Sequence, residues 1–411
     1  MTTDSRHRVV VTGAGNLTAL GNDWPTFRAA LAAGRSAVKR MPGWDQVVAL
    51  NCALGAPLDL ELPPSYTRKV LRSMGRTAQL GTRATELALQ DAGLVDNPVI
   101  TSGRTGLAYG SATGSPDALL EFVSTLTSDD ARALKATSYI RGMSHTAAVN
   151  IAVHFHVRGR LLTTSSACTA SSQAIGFGYE TIRYGLQDVM IVGGADELTV
   201  AHSGVFDALF ATSRKTMPTS TPRPFDRDRD GLVLGEGAST LILESLNHAR
   251  ERNATILAEV VGFATNTDGA HITQPDQDTQ ARCLSMALAS AGLTSADIGY
   301  VSAHGTATDT GDVSESWATH RTLGPVPVSS LKGHLGHTLG ACGGIEAWAA
   351  IMMLREGWFA PTLNLANPDT ACAPLDYLTG AGREIRTDCV MSNNFAFGGI
   401  NTSLIFRRWE A

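Results

Sequence analysis

The 411-residue chain has no long apolar run, no closely spaced cysteine pair and no excess of positive charge. Its longest uninterrupted apolar stretch, Ala347 to Leu354, falls well short of the roughly 18 residues that a membrane-spanning helix needs. Lysine and arginine total 33 against 38 aspartate and glutamate, a net charge of -5, so no global basic field draws in nucleic acid or an anionic membrane. The six cysteines, Cys52, Cys168, Cys283, Cys342, Cys372 and Cys389, never approach within fewer than 17 positions of one another, which excludes zinc-binding or redox CxxC pairs and argues against a disulfide scaffold. The segment Met1 to Arg8 is polar and charged, so no secretory signal is expected and a cytoplasmic, reducing location is. Aromatic residues make up only 6%, but 43% of the chain is hydrophobic and 17% charged, the balance of a globular protein long enough for two or three units or one unit duplicated.

Glycine is plentiful, at 41 residues, and it punctuates an alternation of strands and helices. Arg8-Val-Val-Val-Thr-Gly-Ala-Gly15 predicts a buried strand ending in a glycine turn, followed by a helix. The Gly13-x-Gly15 pair does not extend to a dinucleotide-binding fingerprint, since no acidic residue ends a second strand about 20 residues on. Thr82 to Asp91 is helical in pattern, Thr105 to Tyr109 is a strand, and the stretch from Gly110 to Ala147 opens as a small-residue loop. This is α/β organisation.

The sequence also repeats itself. Glu86-Leu-Ala-Leu-Gln-Asp-Ala-Gly-Leu94 precedes a strand and a glycine loop, as does Ser285-Met-Ala-Leu-Ala-Ser-Ala-Gly-Leu293. A strand, a small-residue turn and a helix ending in glycine recur in Leu161 to Gly185, which holds Cys168, and in Val326 to Gly357, which holds His337. The repeat predicts that Cys168 and His337 occupy equivalent helix starts in two halves that face each other across one site.

The reactive residue types fall in these turns. In Leu161-Leu-Thr-Thr-Ser-Ser-Ala-Cys168-Thr-Ala an apolar strand runs into a thiol at a helix N-terminus, where unpaired N–H groups favour the thiolate and are expected to lower its pKa from about 8.5. His304 ends a strand in Ser-Ala-His-Gly-Thr-Ala-Thr-Asp-Thr-Gly-Asp312, and Lys332-Gly-His334-Leu-Gly-His337 leads into a helix over Glu346 to Leu354. Two histidines three apart without a third ligand do not make a metal site, and none is expected. A neutral imidazole near a helix N-terminus can instead donate a hydrogen bond to developing negative charge. His334 reads as a loop residue in contact with backbone. Asn394-Phe395-Ala396-Phe397-Gly-Gly reads as an aromatic wall beside a tight turn.

Taken together, these motifs resemble the β-ketoacyl-[acyl carrier protein] synthases of types I and II, over almost the whole chain, with Arg223-Pro-Phe-Asp226-x-x-Arg229-Asp-Gly and Gly235-Glu-Gly-Ala in matching order. The second histidine, His337, is a poorer match to type III synthases. The resemblance implies a thiolase-like fold of two duplicated βαβαβαββ halves in an α-β-α-β-α sandwich, divided into residues 1–250 and 251–411. It implies a decarboxylative Claisen condensation in fatty acid or polyketide and polyene synthesis. Cys168 would carry the acyl group, with the N–H groups of Cys168 and Phe397 holding the oxyanion. His304 and His337 would stabilise the enolate, and Lys332 would pair with Glu346. Thr306, Thr308 and Phe395 would contact substrate, Asp312 would support the site and Phe397 would gate it. Arg68, Lys69 and Arg72 would dock an acidic acyl carrier protein, whose phosphopantetheine carries the substrates, and no separate cofactor is expected. A homodimer is expected, or a heterodimer with a synthase-like partner. The competing readings are a thiolase acting on coenzyme A esters and a non-catalytic chain-length partner. The chain departs from the family pattern at Gly333, Ala396 and Ile400. Ala396 stands where glycine is usual and is expected to stiffen the gate; the departures lean toward a specialised pathway.

Overall fold

The computed structural model describes residues 6–128 and 130–410. The first strand, Val9–Leu17, does not stop at its glycines as the sequence pattern suggests. It runs through both, because the helix Arg76–Asp91 lies directly on its backbone. A Cβ at Gly15 would sit 2.1 Å from the Ala84 carbonyl oxygen, and one at Gly13 2.7 Å from that of Ala88. These glycines serve close packing, and the facing helix with its C-terminal cap supplies alanines at 84, 88 and 92 for the same reason.

Among the described residues, eleven strands form one sheet; five from each sequence half enter it in the same order, and the short strand Asp376–Tyr377 adds an edge beside Pro327–Ser329. In the first, Leu161–Thr164, Thr105–Gly110 and Val189–Asp196 are parallel, and Gly237–Ser245 and Val9–Leu17 follow antiparallel. In the second, Pro327–Ser329, Ile298–Ser302 and Cys389–Ala396 are parallel, and Ile400–Arg408 and Ala258–Thr267 follow antiparallel. The halves join where Val9 to Val11 pair with Ala258 to Val260. The 250/251 division falls at the end of the helix Leu246–Glu251, between the two sets of strands.

Helices Ala170–Arg183 and Cys342–Glu356 touch each other and strands of both halves, so they form the middle layer. Arg76–Asp91 and Thr146–His154 cover the outer face of the first half, and Gln277–Ala291 with Asp309–Leu323 that of the second. The result is the α-β-α-β-α arrangement. Cys342–Glu356 is buried along nearly its whole length, which explains an apolar run that shows no single helical face.

The stretch from Gly110 to Ala147 is mostly helical, not a loop. After the small residues at 111–115 come the helices Pro116–Ser128 and Ser138–Gly142. Leu119, Phe122, Val123 and Leu126 recur at helical spacing, and Glu121 ties the two helices together by accepting from Ser138 and from Arg141 at 2.6 Å.

Candidate active site

The strand Leu161–Thr164 leads through Ser165 and Ser166 into a single 3-10 turn, Ala167–Thr169, and then the middle-layer helix. Ala167 sits at φ 50°, a left-handed conformation that is strained for a residue with a Cβ. This elbow lifts Cys168 onto the floor of a cavity of about 320 Å³ between the two halves.

The second half repeats the elbow. Leu339 has φ 52° and a 3-10 turn, Leu339–Ala341, precedes the helix starting at Cys342. Aligning the helix starts, Ala170 with Cys342, pairs Cys168 with Gly340. His337 therefore sits three residues before the equivalent position, not at it as the repeat suggests. That offset lets it reach across: its Nε2 lies 3.0 Å from the Cys168 sulfur. The Leu339 N–H donates to His337 Nδ1 at 3.2 Å, which leaves the ring proton on Nε2.

His304 follows the strand Ile298–Ser302 and meets the His337 ring edge-on, with centroids 5.3 Å apart. Its Nδ1 faces two donors, the Lys332 ammonium at 3.2 Å and the Asn394 amide at 3.3 Å, so its proton also rests on Nε2. Burial, reinforced by the Lys332 charge, holds both imidazoles well below the usual histidine pKa. Each is a neutral N–H donor. One nitrogen of each ring and the Cys168 sulfur all lie within 4.8 Å of one another. With its proton on Nε2, each ring offers a hydrogen-bond donor at that nitrogen.

Lys332 is 2% exposed. Burial opposes its charge, but the Glu346 carboxylate bonded to its ammonium outweighs that and raises its pKa. Asn394 donates to the other oxygen of Glu346 at 2.7 Å. The Cys168 thiol departs from the helix-terminus expectation: burial pushes it up to about 12, against the opposing pull of Lys332. Removal from water outweighs the helix terminus.

Thr306 and Thr308 line the cavity with their hydroxyls 2.9 Å apart. Asp312 holds that loop by accepting the N–H groups of Thr306 and Ala307 at 3.0 and 3.1 Å. Phe395 and Phe397 complete the wall. Phe397 begins the tight turn to Ile400 and tilts against Phe206, centroids 5.8 Å apart. Ala396 ends its strand and is not among the positive-φ residues, so its methyl imposes no strain in this conformation. Ala396 packs instead on Cys168 and Cys342, with Ile400 beside them. Arg68, Lys69 and Arg72 are not part of this group. They are exposed on the short helix Arg68–Leu71 and its cap, and none lines the cavity. His334 contacts backbone, as read, but in a helical turn: its ring nitrogens meet the carbonyls of Arg35 and Pro361.

Four buried residues escaped the sequence reading. Glu315 accepts the N–H groups of His304 and Gly305 at 2.7 and 2.6 Å; its signal was its place one helical turn after Asp312. Asn394 directly precedes Phe395. Cys342, whose thiol points at the Cys168 carbonyl at 3.3 Å, and Asp196 carried no signal.

The family described as beta-ketoacyl synthase, N-terminal domain, matches residues 6–249, and its C-terminal domain matches residues 257–366. The chain is 36% identical to 3-oxoacyl-[acyl-carrier-protein] synthase 2 of Vibrio cholerae, over 98% of this chain and 100% of that protein. A crystal structure of a beta-ketoacyl synthase from Burkholderia phymatum is 53% identical with a TM-score of 0.97, covering 98% of this chain and all of that one. A type II polyketide ketosynthase, solved with its acyl carrier protein and bound to a hexaketide, is 29% identical with a TM-score of 0.89, over 98% of this chain and all of that one. With both domains matched in order on one duplicated fold, the chain belongs to the β-ketoacyl synthase family.

Proposed function

We propose that the chain is a 3-oxoacyl-[acyl carrier protein] synthase that condenses an acyl group with a malonyl unit in fatty acid or polyketide synthesis. The observation that carries this reading is one buried thiol beside two neutral Nε2–H donors. The Cys168 sulfur attacks an acyl thioester, the carbon–sulfur bond to the carrier breaks, and the thiol proton leaves with the carrier's thiol. In the second half-reaction malonyl thioester loses carbon dioxide, and the electron pair of the broken bond enters an enolate whose oxygen is met by His304 and His337. The enolate carbon attacks the acyl group, the bond to Cys168 breaks, and a 3-oxoacyl thioester two carbons longer departs. Neutral donors suit this charge development, and a cavity between two halves keeps water from quenching the carbanion.

For the oxyanion of the first step we assign the N–H groups of Cys168 and Phe397. The duplicated elbow supports this: there the Gly340 N–H is filled by an Asp196 oxygen at 2.7 Å, whereas the matching strand end beside Cys168 carries only the Ala396 methyl. Lys332 with Glu346 keeps His304 neutral and oriented, Thr306 and Thr308 receive the pantetheine arm, Phe395 walls the site and Phe397 gates it.

The partner in this reading is an acyl carrier protein, met by Arg68, Lys69 and Arg72, which have no ion-pair partner among the described residues. The prosthetic arm arrives on the carrier, and no resident cofactor is invoked. A homodimer, or a heterodimer with a synthase-like chain, would cover the edge strand Leu161–Thr164 and the exposed Leu120 and Leu126. Six unpaired buried cysteines fit a reducing cytoplasm, and no helix among the described residues is long and apolar enough to cross a membrane. The intact thiol and histidines argue against a non-catalytic partner. Acyl and malonyl groups offered on carrier protein and on coenzyme A, with products weighed, test the reading: turnover on the carrier supports it, and acetoacetyl-type cleavage confined to coenzyme A esters points to a thiolase.

A further inference from the structure

The elbow that the chain does not use for chemistry is filled from within. Asp196 ends the strand Val189–Asp196 and is fully buried. Its Oδ2 accepts the N–H of Gly340 at 2.7 Å and that of Ala112 at 2.9 Å, and its Oδ1 accepts from the Ser111 hydroxyl at 2.9 Å. The fit leaves no slack: a Cβ on Gly340 would lie 2.6 Å from the carboxylate oxygen. The corresponding strand of the other half, Cys389–Ala396, also has 8 residues and ends against Cys168. Asp196 thus stands to Gly340 as Ala396 stands to Cys168.

We infer that Asp196 is a positioning residue for the condensation step, acting through the Leu339–Gly340 segment on the tautomer of His337. Two consecutive N–H groups are involved. The Gly340 N–H is held by Asp196, and the Leu339 N–H donates to His337 Nδ1. Leu339 is itself in the left-handed region at φ 52°, a conformation that persists only when its surroundings hold it. The carboxylate supplies that hold from one side while the imidazole receives the product on the other. Without the carboxylate, the buried Gly340 N–H and the half-buried Ala112 N–H lose their acceptor. The turn then relaxes, the Leu339 N–H leaves Nδ1, and His337 is free to carry its proton on either nitrogen. Only the Nε2–H form meets the enolate.

This inference rests on the proposed condensation, but its central readout does not. Ring-nitrogen NMR of histidine-labelled protein is expected to show His337 with Nε2 protonated and Nδ1 bare in the wild type, and a mixture of tautomers in Asp196→Ala. Asp196→Asn, which keeps one acceptor oxygen for Gly340 while its amide faces the Ser111 hydroxyl, is expected to restore the wild-type pattern. In kinetics, Asp196→Ala is expected to slow condensation about tenfold or more and to change acyl loading of Cys168 by less than about threefold. A wild-type spectrum with Nδ1 protonated overturns the inference whether or not the alanine variant folds. So does an Asp196→Ala protein that keeps a single Nε2–H tautomer, or an alanine and asparagine pair that lose both half-reactions equally. If the wild type neither loads nor condenses, the functional reading fails, while the tautomer of His337 still decides the role of Asp196.

Discussion

The sulfur of Cys168 and Nε2 of His337 lie 3.0 Å apart although 169 positions separate them in the chain. The two come from opposite halves of a duplicated fold, so the contact exists only where the halves meet. The imidazole is a neutral donor here, so it can stabilise negative charge on whatever atom replaces or joins the sulfur, but its Nδ1 is occupied by the Leu339 N–H and does not serve as a ready base.

The first prediction concerns that sulfur. Burial raises the Cys168 thiol to about 12, so between pH 7 and 9 the thiolate is a minor form whose share grows about tenfold per pH unit. Alkylation by iodoacetamide, followed by mass spectrometry of the Cys168 peptide, is expected to rise steadily over this range. A plateau near pH 7 would mean that the helix terminus prevails over burial.

Lys332 and Glu346 form a closed pair at 2% exposure each. Lys332→Met leaves a carboxylate buried without its cation and is expected to cost about 3–5 kcal/mol in urea unfolding. Adding Glu346→Gln removes the unpaired charge, and the double variant is expected to regain more than half of the loss.

How far these features were legible in the sequence depends on what created them. Strand and helix order, and the duplication, could be read because β-branched runs and repeated Ala-Gly-Leu helix ends are local signals. Cys168, His304 and His337 stood out as reactive residues in glycine-rich turns. The fate of Gly13 and Gly15 could not be read, since their role comes from the helix Arg76–Asp91 lying across them, some 70 residues away in the chain. Nor could the three-residue offset of His337 from Cys168, which appears only when the left-handed residues Ala167 and Leu339 are aligned. The raised Cys168 pKa has the same origin. A helix terminus is visible in sequence, but the depth of burial is not.

The contrast between the two elbows gives a third prediction. Ala396→Asp would put a carboxylate beside the Cys168 N–H in the way that Asp196 sits on Gly340. If that N–H is the oxyanion donor, loading is expected to fall by about 10²–10³, with the fold checked by circular dichroism. Loading at the wild-type rate would remove Cys168 N–H from the mechanism.

Charge governs the fourth. Arg68, Lys69 and Arg72 are exposed and do not line the cavity, so reversing all three to glutamate is expected to raise KM for the carrier about tenfold at low ionic strength and leave kcat unchanged. The effect should shrink in 0.5 M salt, roughly as screening dictates. A salt-independent loss of kcat would assign these residues to the fold.

The central claim is that Cys168 carries the acyl group while His304 and His337 serve the step that consumes it. The direct measurement is intact-mass analysis of protein first loaded from acyl carrier protein and then given malonyl carrier protein. The wild type is expected to gain one acyl group and lose it as a longer 3-oxoacyl product. His304→Ala and His337→Ala should gain the group and retain it, and Cys168→Ala should never acquire it. Acylation that persists in Cys168→Ala, or histidine variants that discharge at the wild-type rate, would contradict the account.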